Sequence, residues 1–91
     1  MSRKMISTTL TTSQVTTGTA AQVLAANPSR LGLVLKNADA TNAIAIGSSS
    51  SVTALNGFVL KGGEQLIMET YAGPVFAIAV ASTPILMIAT W

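Results

Sequence analysis

Asp39, Glu64 and Glu69 are the only acidic side chains in 91 residues that contain no histidine and no cysteine. Without histidine the usual proton carrier near neutral pH is missing. Without histidine and cysteine together, zinc and copper lose their common ligands. Cleavage of a glycosidic bond would need two of the three acids to face one another. Glu64 and Glu69 stand an odd number of positions apart in one extended segment, so they point to opposite faces. Asp39 lies in ADATN, where a short acid bonds to its own backbone. Serine and threonine are abundant, but no GxSxG elbow, SxxK pair, GxGxxG loop or Walker loop occurs. The residues therefore predict a protein that is not an enzyme and has no cofactor or metal.

Two side chains stand out for other reasons. Trp91 is the single tryptophan. It either fills one end of a core or packs across a subunit boundary, where aromatic anchors concentrate binding energy. Arg30 follows Asn27-Pro28-Ser29 at the mouth of a hydrophobic segment, placed to form a structural ion pair with Glu64 or Glu69.

Composition narrows the class. Charged residues are 9% and apolar residues 49%, with a mean hydropathy of +0.58, against about 25% charged in an ordinary soluble domain. Disordered chains are polar and charge-rich, so disorder is excluded. One domain of this length has a marginal core. So apolar a surface must be covered by sister copies, by another protein or by lipid. The net charge of +2 reflects scarce acids, not clustered bases, and nucleic-acid binding is not expected. Arg3 and Lys4 precede a hydroxyl-rich stretch, not the apolar run of a secretory leader.

The segments read as strands. Residues 1–13 are polar with no period and are expected to be an extended arm. QVTTGTAAQVLAA is rich in β-branched residues and ends at Asn27-Pro28. In RLGLVLKN, Leu31, Leu33 and Leu35 share one face, a period of two. AIAIG and EQLIMET alternate likewise, separated by a Ser48–Ser51 loop, an Asn56-Gly57 turn and a Lys61-Gly62-Gly63-Glu64 turn.

The last stretch, GPVFAIAVASTPILMIATW, carries no charge and is long enough to cross a bilayer. But Phe76, Ile78 and Val80 alternate with Ala77, Ala79 and Ala81, which suits a strand and not a spanning helix. Pro84 would also disturb such a helix, and no Lys or Arg flanks it closely. The expectation is a hairpin with bulk against the core and with Ala77, Ala79 and Trp91 beneath a neighbouring subunit. About seven strands with short turns predict an all-β fold, a small antiparallel β-sandwich or jelly-roll-like barrel over residues 14–91.

The residues NPSRLGLVLKN, AIAIG, NGFVLKGGEQL and YAGPVFAIAVAS resemble the small β-sandwich virion modules of tailed bacteriophages, over roughly residues 14–91. Such modules occur as capsid decoration (cement) proteins and as domains of tail or fibre proteins. As a short free chain, this sequence is most similar to a decoration protein. The resemblance implies a structural protein, a homotrimer bound to the major capsid protein on the outer capsid surface of the virion after synthesis in the host cytoplasm. It implies no nucleic-acid or membrane partner and carries over no individual residue. On this reading the polar arm, with Arg3, Lys4, Met5 and Ile6, reaches over a coat subunit. Two alternatives stay open: a receptor- or carbohydrate-binding module of a tail or fibre, disfavoured by only 4% aromatic residues, and a small membrane protein with a C-terminal span.

Overall fold

The computed structural model describes residues 10–91. It contains eight strands: β1 Thr11–Thr16, β2 Ala21–Leu24, β3 Leu33–Asn37, β4 Ile44–Gly47, β5 Phe58–Leu60, β6 Gln65–Met68, β7 Val75–Ala79 and β8 Ile85–Thr90. Two four-stranded antiparallel sheets result, ordered β1-β8-β3-β6 (sheet A) and β2-β7-β4-β5 (sheet B). The first four strands pair in reverse order with the last four: β1 with β8, β2 with β7, β3 with β6 and β4 with β5. Wrapping that long double ribbon on itself adds the ladders β3·β8 and β4·β7. This is the jelly roll, two antiparallel layers packed face to face.

The core lies where the inner faces meet. Leu33 and Leu35 of β3 and Leu86 and Ile88 of β8 pack against Ile44 and Ile46 of β4, Leu60 of β5, and Val75 and Ala77 of β7. Burying each of the larger side chains contributes about 2 kcal/mol.

Four expectations need correction. Residues 11–13 are not part of an arm, because Thr11, Thr12 and Ser13 pair with Thr90, Ala89 and Ile88. An edge strand facing solvent needs no apolar alternation, so its polarity hid it. The segment from Gln14 to Ala26 is two strands: Thr17 makes the last tie to sheet A, donating its N–H and its hydroxyl to the Pro84 carbonyl (3.0 and 2.6 Å), and residues 18–20 carry the chain to β2 in sheet B. Residues 75–91 do not form a hairpin. β7 lies in sheet B and β8 in sheet A, and residues 80–84 arch between them, with Ser82 at φ 61°.

The facing of β7 is also the reverse of that expected. Val75 and Ala77 are buried, while Phe76 and Ile78 are half-exposed on the outer face. The leucines and isoleucine of β3 and β8 fill the space opposite, which leaves room for alanine and not for phenylalanine. Ala77 therefore belongs to the core, and a neighbouring subunit cannot rest on it. Arg3, Lys4, Met5 and Ile6, expected to form a capsid-contact arm, lie outside the described residues.

Candidate interaction surfaces

The acids serve turns. Glu64 accepts the Lys61 N–H at 2.7 Å and closes the Lys61–Glu64 turn, where Gly63 has φ +81°. Asp39 accepts the N–H groups of Thr41 and Asn42 at 2.7 and 2.8 Å. The Asn42 N–H first, and the Thr41 N–H next, hold its carboxyl below the usual range. Glu69 is exposed just beyond β6. Among the described residues, no group of three or more His, Cys, Asp or Glu could hold a metal ion. Ser49 and Ser51 share a hydroxyl–hydroxyl hydrogen bond of 2.7 Å in the β4–β5 loop, in a chain with no histidine to activate either.

Arg30 and Glu64 do not form the expected pair. Arg30 is buried, and its guanidinium donates to the carbonyls of Tyr71 (3.2 Å), Gly73 (3.1 Å) and Ala25 (2.5 Å). It ties the end of β2 to the turn before β7. The fork of donors suits several carbonyls converging from different directions. Tyr71 completes this corner by donating its hydroxyl to the Pro74 carbonyl at 2.6 Å. At the other end of β3, buried Asn37 donates its amide to the carbonyls of Asn42 (2.7 Å) and Leu60 (3.0 Å) and accepts the Asp39 N–H (3.0 Å). Both side chains brace the sandwich.

Surface for recognition comes from the outside of sheet A. Because side chains alternate, residues in register form rows across it. One row runs Thr12, Ala89, Val34, Ile67 and the next Gln14, Met87, Lys36, Gln65. A shallow groove of about 510 Å³ follows these rows. Lys36 is the one charged residue among those lining it. Ile67 is 53%, Ile85 41% and Met87 39% exposed. Trp91 extends the apolar band past β8, with its ring over Gly32 and its carbonyl accepting the N–H of Leu31 at 2.7 Å.

A second apolar feature opens between the sheets, where the short edge strands β5 and β6 end. This cleft of about 310 Å³ is lined by Ile46, Phe58, Leu66, Met68, Tyr71 and Val75, with Gly47 and Ser48 at its rim. Of the residues expected at a subunit interface, Ala77 is in the core, Ala79 is half-buried beside Gly18, whose carbonyl accepts its N–H at 2.8 Å, and Trp91 is half-buried on sheet A. Val34, Ile67 and Met87 went unnoticed as surface residues. Their signal was present, since each is an apolar residue on the face of RLGLVLKN, EQLIMET or PILMIA opposite the buried one.

No family model and no curated protein matches the chain. Among solved structures, it is similar to a subunit of Bacillus endospore appendages, described as a novel family of disulfide-linked pili. The identity is 16% and the TM-score 0.44, over 100% of this chain and 97% of that one. A likeness this loose says nothing of what the chain does. Residues 71–91 are strands and turns, and among the described residues no helix is long and apolar enough to cross a membrane.

Proposed function

We propose that the chain is a non-enzymatic structural protein of a tailed-phage virion, which assembles as a homo-oligomer, a trimer, and lies on the outer capsid surface. The observation that carries this reading is the apolar outer face of sheet A. Val34, Ile67, Ile85, Met87 and Ala89 form a continuous band beside one lysine, Lys36, among the described residues, in a chain with only 9% charged residues. Contiguous exposed apolar patches on small proteins mark contact sites, and permanent interfaces are more apolar than transient ones. A flat pleated face suits a broad partner surface better than it suits a small ligand. Many copies on one lattice turn a modest contact into stable occupancy. The phage assignment rests on the sequence resemblance of residues 14–91.

Cosedimentation with shells of the phage whose genome encodes the chain tests the reading. Binding that saturates at a fixed ratio to coat protein is expected, with oligomer mass by light scattering in the same preparation. A monomer that stays in the supernatant contradicts it.

A further inference from the structure

From one side chain and one cavity, we infer that copies of this chain join by inserting Leu55 of one copy into the cleft between the sheets of the next. The inference rests on the oligomeric reading above and supplies its copy-to-copy contact.

Leu55 is 99% exposed. An isolated apolar residue on a surface needs no explanation, but this one is displayed on a braced loop. Thr53 donates its N–H to Asn56 Oδ1 at 2.7 Å, and Thr53 Oγ1 accepts the N–H groups of Leu55 and Asn56, each at 3.2 Å. Asn56 Nδ2 reaches the Ser51 carbonyl at 3.2 Å, and the Gly57 N–H reaches that of Thr53 at 2.9 Å. The leucine is thus held out by a frame of hydrogen bonds, and little backbone freedom is left to lose when it is buried.

The cleft fits such a knob. Its volume of about 310 Å³ exceeds that of one leucine side chain, and its walls, Ile46, Phe58, Leu66, Met68, Tyr71 and Val75, carry no charge. The loop, residues 48–57, is also uncharged, so no like charges oppose the approach and no ion is desolvated.

The chain's own Leu55 does not fill its own cleft. The loop folds over the outer side of sheet B, with Val52 seated where a side chain on Gly47 or Gly57 would stand, 2.7 and 2.8 Å from those Cβ positions. Ala45 beneath it is fully buried. Turning Leu55 inward would unseat Val52. Another copy has no such constraint. Knob and cleft adjoin on one copy, Ser48 and Phe58 belonging to the cleft, so the contact either pairs two copies reciprocally or, repeated head to tail, closes into a ring when the rotation per copy divides the circle, as in a trimer.

A chain without cysteine makes the test clean. Leu55→Cys and Met68→Cys variants, each carrying one cysteine, are mixed and mildly oxidised. The mixed disulfide is expected to dominate over either like pair. Separately, Leu55→Asp, fully exposed and harmless to the monomer, is expected to weaken self-association by about tenfold or more, the effect of losing a central buried anchor. Its thermal midpoint, measured where both proteins are single chains, should match the wild type. An assembled wild type that gives no mixed disulfide, or whose mass survives Leu55→Asp, overturns this contact and leaves the oligomeric reading standing. A wild type that remains a single chain at every concentration overturns both.

Discussion

The indole of Trp91 stands where a side chain at position 32 would project: a Cβ on Gly32 would lie 2.6 Å from Trp91 Cε2. Backbone bonds lock the two together, since the Trp91 N–H donates to the Gly32 carbonyl at 3.1 Å and the Gly32 N–H to that of Trp91 at 3.2 Å. Gly32→Val must therefore push the ring off sheet A. The expected cost is about 2–3 kcal/mol, as for other overpacked sites. Because Trp91 is the single tryptophan, its fluorescence should shift to the red in the folded variant. Trp91→Ala should remove most of the penalty of Gly32→Val, a coupling that a double-mutant cycle measures.

Arg30 and Glu64 give opposite expectations to those of an ion pair. Arg30→Lys should destabilise by about 2–3 kcal/mol, because one ammonium cannot replace a fork that serves three carbonyls. Glu64→Gln should change stability by no more than about 0.5 kcal/mol, since an amide oxygen still accepts the Lys61 N–H. Urea denaturation of both variants decides. Equal losses would restore the pair.

How far the sequence could be read depended on what each pattern encodes. The period of two in RLGLVLKN marked β3 and its buried face, because Leu33 and Leu35 alternate with a solvent-tolerant Lys36. VFAIAVA marked a strand but not its orientation. Alternating bulk and alanine is the same pattern whichever side faces in, and the choice belongs to the leucines of the opposite sheet. The arch at residues 80–84 looked like a hairpin turn because chain reversal and sheet switching use the same turn residues. Arg30's partners were invisible because backbone carbonyls have no residue type. Leu55 passed unnoticed between the turn residues Thr53 and Asn56-Gly57, where exposure depends on how the loop is braced.

Acid should act partly through Asp39. Its folded pKa lies below the ordinary value of 3.8, owing to the N–H groups of Asn42 and Thr41. A depressed carboxyl adds stability that is fully present above the unfolded value and disappears as pH falls through the folded one. Thermal midpoints taken downward from about pH 5 should therefore decline more steeply for the wild type than for Asp39→Asn. Asparagine keeps the acceptor oxygen of the turn and has no proton to gain. Parallel curves would show that Asp39 has no part in the acid response.

The face of sheet A can be altered without touching the core. Ile67→Lys with Met87→Glu changes two outward positions that are 53% and 39% exposed. The variant should fold with a stability within about 1 kcal/mol of wild type, as expected for surface sites. It should keep its oligomer, whose proposed contact lies at the other surface, and lose occupancy on the shell by about tenfold or more. Unchanged occupancy would remove sheet A from the shell contact.

The central claim is that so apolar a jelly roll works only when its surface is shared. Light scattering after size exclusion, in plain buffer across a wide concentration range, tests it most directly. A mass that is a whole multiple of 9.3 kDa, three being expected, agrees with the account. A monodisperse species of one chain mass that persists at the highest concentration contradicts it.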